Sequence, residues 1–170
     1  DDVYAPLTGD GFWKEVRPMS GAREVLLWAK GQGHKVYIVT ASAYQTLPEK
    51  MENVLFKYFP FISWDDVIVT SNKQMMRGDI LFDDAPHNLE GGHFVKILMD
   101  APHNQSYDAE AHGMYRMRYW HEAMNVIRAL SHQDDIKNWR ERPTEFMQNV
   151  LGIKPLLYQK LIIEYMAGEN

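Results

Sequence analysis

Two adjacent carboxylates, Asp83 and Asp84, follow directly on the apolar run Ile80, Leu81, Phe82. Neighbouring acids repel each other unless a cation or a proton lies between them. Mg²⁺ suits that position, because it takes hard oxygen ligands and is commonly shared with a substrate phosphate. The plainer alternative is a solvated Asp-Asp turn that ends a strand. Two further strand ends carry reactive groups: Thr40 closes the run KVYIV (35–39), and Lys73 follows DVIVT (66–70). A hydroxyl can donate to a phosphate oxygen, an ammonium can neutralise spreading charge, and paired carboxylates can hold a metal. Singly these residues mean little; in this order they point to phosphate chemistry. If Asp83 ligates a metal, repulsion between the acids leads to the expectation that Asp83→Asn leaves stability equal or higher; if it merely caps a turn, Asn can still accept and the effect on stability is expected to be small.

The elements that must position these groups read as an α/β alternation. A short apolar run without alternation fits a strand buried on both faces of a parallel sheet, and Ile80–Phe82 is taken as the central one. Ligands bind beyond the carboxyl ends of such strands. A helix is expected from Ser20 as N-cap to Gly31, a strand over 35–39, and a helix over 48–58 with Pro48 in its first turn. Further strands are expected over 66–70 and 94–99, and an amphipathic helix over 114–132. Thr40, Lys73 and Asp83 should then share one edge of one sheet. Residues 1–20 read as a loop rich in Gly and Pro, holding the aromatic pair Phe12-Trp13, which either pins the loop to the core, the favoured reading of the residues, or offers a wall for a base. The pentapeptide DAPHN occurs at 84–88 and 100–104, which reads as reuse of one strand-to-loop turn. His87, His93, His103 and His112 lack the spacing of a zinc site.

At 170 residues the chain suits one core-forming domain, with a net charge of −5 that argues against duplex nucleic acid as a partner. It has no cysteine, which excludes a disulfide scaffold and thiolate chemistry and is compatible with a cytoplasmic protein. No apolar run is long enough for a membrane span. The composition changes near 135, dividing the chain into a sheet domain (1–135) and a helical C-terminal extension (136–170). That extension leaves a homodimer, or docking through its helix, open.

The order Thr, Lys, acid pair differs from a two-component receiver domain, where the acids come first. It resembles the haloacid dehalogenase (HAD) superfamily, whose second, third and fourth motifs match VYIVTAS (36–42), the Lys of TSNK (70–73) and ILFDD (80–84). Within it, the chain is similar to the 5′(3′)-deoxyribonucleotidases. The likeness rests on GFWKEVRPMSGA (11–22), HKVYIVTA (34–41), KYFPFI (57–62), GDILFDDAPHNL (78–89), the second DAPHN and RYWHEAMNVI (118–127). The resemblance implies a HAD-like (Rossmannoid) α/β fold, a parallel sheet flanked by helices. It also implies Mg²⁺-dependent hydrolysis of (deoxy)nucleoside monophosphates through an aspartyl-phosphate intermediate. On the same basis Thr40 and Lys73 are catalytic, Thr40, Ala41 and Lys73 bind phosphate, Phe12 and Trp13 contact the nucleotide, and Asp83 and Asp84 serve the metal.

The family's first motif, an Asp-x-Asp strand carrying the nucleophile, has no counterpart here, and most of the helical cap that follows it is absent too. Asp1-Asp2-Val3 lacks an apolar strand ahead of it and there is no initiator Met, so further residues are expected upstream. Without the central strand, raw sheet edges are expected. The alternative is a catalytically inactive nucleotide- or phosphate-binding or interaction module. FMQNVLGIKPLLYQK (146–160) resembles the segment ahead of the ATP-binding loop in phage terminase large subunits, with Tyr158-Gln159 the match. An amphipathic packing helix is the favoured reading of that segment.

Overall fold

The computed structural model describes residues 11–131. The C-terminal extension with Tyr158-Gln159, and the Asp1-Asp2 pair, lie outside the described residues. The chain divides into two compact units, residues 1–120 and residues 121–170.

In the first unit the β-branched runs form short parallel strands, but they build two sheets and not one. β1 (Ile38–Thr40) pairs with β2 (Val67–Val69), with Thr40 opposite Val69. β3 (Ile80–Asp83), β4 (Val95–Met99) and β5 (Tyr115–Met117) form the second sheet in the order β3-β4-β5. β4 is therefore the central strand of the larger sheet, and Ile97, Leu98 and Met99 are its buried residues. β3 is an edge strand, and Ile80, Leu81 and Phe82 are only half-buried. The expectation of a single sheet with β3 at its centre is corrected. Among the described residues, β1 pairs only with β2 and β3 only with β4, so each has one edge without a ladder partner.

Helices fill the connections. α1 (Phe12–Glu15) is a single turn inside the expected loop, opened by Gly11 at φ 85°, which a Cβ would disfavour. α2 (Ala22–Gly31) turns Ala22, Val25 and Ala29 inward; its N-cap is Gly21 at φ 82°, not Ser20. The expected 48–58 helix is continuous but not regular. It runs as α3 (Leu47–Lys50), a π-helical turn (Met51–Leu55) and α4 (Phe56–Tyr58). Such π turns interrupt α-helices mostly at functional sites. Met51, Leu55, Phe59 and Ile62 bury the underside of β1 and β2 with Ala22. Lys30 clamps this half by donating to Phe61 O at 2.8 Å and to Asp66 at 3.0 Å. A second cluster, Leu89, Phe94, Leu98, Ala109 and Met114, packs around β3 and β4 with α5 (Pro86–Leu89).

The two halves meet at Trp120, which packs against the first cluster and stacks on Phe82 of β3 with ring centroids 5.7 Å apart. In the second unit, α6 (Glu122–Ser131) is amphipathic, with Ala123, Val126 and Leu130 buried. The expected helix over 114–132 thus starts late: Tyr115–Met117 is a strand. Among the described residues no helix is long and apolar enough to cross a membrane.

Candidate active site

Each strand end delivers a polar group. Thr40 is the last residue of β1, and its buried hydroxyl faces Ser42 at 3.3 Å. The helix that follows returns Lys50 to this point, where its Nζ donates to Thr40 Oγ1 at 2.6 Å and to Ser42 Oγ at 3.0 Å. The ammonium also lies 4.6 Å from the Trp13 ring centroid, a cation–π contact. Trp13 and Phe12 meet edge to face at 5.1 Å, both half-buried, so α1 brings the aromatic pair to the site. The buried Trp13 Nε1 has no acceptor among the described residues.

Lys73 opens the 3-10 turn Lys73–Met75 beyond β2 and reaches Asp83, Nζ to Oδ2 2.6 Å. Asp83 ends β3 and is itself buried. Its Oδ1 accepts from Ala85 N–H at 2.9 Å and from Asn88 Nδ2 at 2.8 Å. With three donors on one carboxylate, Asp83 is compensated within its own surroundings. Asp84 differs: its carboxylate is 61% exposed, with the His103 ring nitrogen 3.6 Å away. Ala41 is exposed immediately after β1.

Electrostatics connect the two halves. Burial first, and the nearby Lys73 charge second, push the Lys50 pKa down from 10.5 to about 8. Two ammoniums thus sit close together, but among the described residues only Lys73 has a carboxylate partner. Lys50 is held by two neutral hydroxyls and an aromatic face, which leaves its charge poorly compensated. An arrangement of this kind favours an incoming anion.

Lys50 is the residue that strand-end reasoning missed. Its signal was there, a lysine in the first turn after Pro48 on the helix returning from Thr40, but it lies in a helix and not at a strand end. The expected residues Thr40, Lys73 and Asp83 are brought into one region, though from two sheets. Among the described residues, no three His, Asp or Glu side chains converge as a ready metal cage.

An α/β unit that sets such groups at the carboxyl ends of parallel strands is HAD-like. The sequence model of the family described as 5′ nucleotidase, deoxy (Pyrimidine), cytosolic type C protein matches residues 1–133. The chain belongs to that family. It is 38% identical over 108 residues to a 5′(3′)-deoxyribonucleotidase of Bacillus subtilis, covering 62% of this chain and 61% of the relative. A 5′(3′)-deoxyribonucleotidase of Clostridium acetobutylicum is 40% identical over 95 residues, covering 56% of this chain and 50% of that protein. A protein named putative 5′(3′)-deoxyribonucleotidase from Staphylococcus epidermidis is 27% identical over 123 residues, 71% of this chain and 65% of its own. The chain thus spans between half and two thirds of the length of these curated relatives.

Proposed function

We propose that the complete protein is a Mg²⁺-dependent 5′(3′)-nucleotidase that hydrolyses (deoxy)nucleoside monophosphates through an aspartyl-phosphate intermediate. The observation that carries the reading is the under-compensated Lys50 ammonium, held by Thr40 and Ser42 beside the Lys73–Asp83 pair. A phosphate dianion is the ligand that would relieve it. Lys50 and Thr40 grip the non-bridging oxygens, and Lys73 adds charge as the phosphoryl group transfers. Phe12 and Trp13 border the base, with the indole N–H free to donate to it.

The metal's donor set is Asp83 with Asp84. Asp83 Oδ2 already holds a cation, the Lys73 ammonium at 2.6 Å, and Mg²⁺ commonly needs only one or two carboxylates besides the substrate phosphate. When bound, Mg²⁺ would supply charge neutralisation at the phosphoryl oxygens. The nucleophile is not among residues 11–131. This reading assigns it to a further strand lying between the open edges of β1 and β3.

The test is phosphate release from 5′- and 3′-deoxynucleoside monophosphates by the full-length gene product, with and without Mg²⁺. Metal-dependent release supports the reading. Nucleotide binding without release would select an inactive binding module instead. A cytoplasmic setting and small-molecule nucleotides as the main partners belong to the same proposal; a homodimer, or docking through the C-terminal helix, is the open question that gel filtration of the full-length product addresses.

A further inference from the structure

The second DAPHN segment is built into the end of the first. Asn104, 2% exposed, directs its Nδ2 at two main-chain carbonyls, Asp84 O at 2.7 Å and Met99 O at 2.8 Å. Its Oδ1 accepts from Ala101 N–H at 3.2 Å and from Arg116 Nη1 at 2.8 Å. Both amide hydrogens and the carbonyl oxygen are therefore used, and the flipped amide would set donor against donor. Arg116 is anchored in turn: Nη1 reaches Asp100 Oδ1 at 2.7 Å, and Nη2 reaches Asn104 O at 3.0 Å and Tyr107 O at 2.8 Å. The register puts Asp83, Leu98 and Arg116 in one row across β3, β4 and β5.

The connection to the site runs through one peptide group. The carbonyl of Asp84 and the amide of Ala85 belong to the same planar unit. That unit's oxygen is held by Asn104, and its N–H donates to Asp83 Oδ1. Fixing the oxygen fixes the direction of the N–H, and a bonded carbonyl also polarises the amide opposite it. His103 Nε2 lies 3.0 Å from the same oxygen but is exposed, so the buried Asn104 is the firmer hold.

We infer that Asn104 and Arg116 are positioning residues that set the orientation of the Asp83 carboxylate through the Asp84–Ala85 peptide. The inference deepens the proposed reading of Asp83 as a metal ligand and rests on it for its functional meaning. Removing a group hydrogen-bonded directly to a metal ligand typically changes metal affinity 10–100-fold; Asn104 acts through such a group, the Ala85 amide, and should fall at the lower end of that range.

The experiment uses the 170-residue chain with Mn²⁺ as the probe. It compares wild type, Asn104→Leu, Arg116→Lys and a control, Leu55→Ala, in the cluster under β1. Two quantities are read: hydrogen exchange and chemical shift of the Ala85 amide, and Mn²⁺ affinity by electron paramagnetic resonance. In Asn104→Leu the Ala85 amide should exchange about tenfold faster and Mn²⁺ should bind about tenfold more weakly. Arg116→Lys should move both in the same direction by less. Leu55→Ala, at comparable loss of Tm, should move neither. A native Ala85 amide in Asn104→Leu overturns the inference; if that variant does not fold, a native Ala85 amide in Arg116→Lys does so. A wild-type chain that binds no Mn²⁺ overturns the metal reading, while the Ala85 amide still decides the relay.

Discussion

Lys50 Nζ sits 2.6 Å from Thr40 Oγ1, ten residues back along the chain, and this contact joins a helix start to a strand end. The ammonium there has no carboxylate partner among the described residues, and Lys73 nearby makes its charge costlier. The two lysines should therefore respond oppositely to neutralisation. Lys50→Met removes a destabilised cation and should leave Tm equal or higher. In the full-length protein it should lower kcat/KM by about 10²–10³-fold, as for loss of one charge-stabilising donor. Lys73→Met strands Asp83, which is buried, and should cost about 3–5 kcal/mol. Thermal melts and steady-state kinetics on both variants check the pair; a Tm loss in Lys50→Met as large as in Lys73→Met would contradict the assignment.

The depressed Lys50 pKa has a pH signature. Its folded value is about 8 against the ordinary 10.5 of a lysine. Between these two the unfolded chain binds more protons than the folded one, so this group's contribution to stability rises with pH across that window. Phosphate affinity should do the reverse and fall as pH climbs through about 8, because the neutral amine no longer attracts the anion. Tm and phosphate affinity, measured from pH 6.5 to 10 as wild type minus Lys50→Met, should diverge in that way. Parallel trends would show that Lys50 does not face the anion.

Asp83→Asn was expected from sequence to leave stability equal or higher if Asp83 ligates a metal, and to change it little if Asp83 caps a turn. The contacts of Asp83 argue for a loss instead. Asp83 accepts from Lys73, Ala85 N–H and Asn88, and an Asn side chain would present an NH₂ to at least one of these donors. The variant should lose about 1–3 kcal/mol through an unsatisfied buried group. Urea melts of the two proteins measure it, and an unchanged midpoint would mean that the three contacts are dispensable.

What could be read from the sequence was what local patterning controls. The acid after an apolar run put Asp83 at a strand end, and the repeated DAPHN, read as reuse of one strand-to-loop turn, follows two strands, β3 and β4, that pair with each other. Tyr115–Met117 was read as helix because the spacing of Trp120, Met124, Ile127 and Leu130 extends naturally backwards over it. A three-residue strand holding Arg116 has too little alternation to stop that extension. Burial of Ile80–Phe82 was overestimated because an apolar run reports what a strand could bury, and among the described residues β3 has a neighbour on one side only. Asn104 and Arg116 escaped notice because their importance lies in contacts across three strands, which no spacing along the chain encodes.

Trp13 offers a test of binding against packing. Its indole Nε1 is buried without an acceptor while its ring lies beside Lys50. Trp13→Phe keeps an aromatic face and removes the orphan donor, so stability should change by less than about 1 kcal/mol, the loss of ring contact offset by loss of an unsatisfied group. If the N–H donates to the nucleotide, KM in the full-length protein should rise about 5–10-fold, the worth of one hydrogen bond of about 1 kcal/mol. An unchanged KM with a lowered Tm would make Trp13 a packing residue alone.

The open edges of β1 and β3 make the last prediction. Both strands are parallel members of separate sheets, and Trp120 spans them by stacking on Phe82 while packing under β1. Unpaired N–H and C=O groups along two open edges are costly and invite pairing. One further parallel strand between them would satisfy both edges at once and bury Ile80, Leu81 and Phe82, which are now half-exposed. The full-length product should therefore melt higher than the 170-residue chain, with hydrogen exchange slowed along Ile38–Thr40 and Ile80–Asp83 together. Protection gained at β3 without β1 would place the added strand elsewhere. If the two melt alike with unaltered exchange at both edges, no strand lies between them, and the proposed place for the nucleophile is lost.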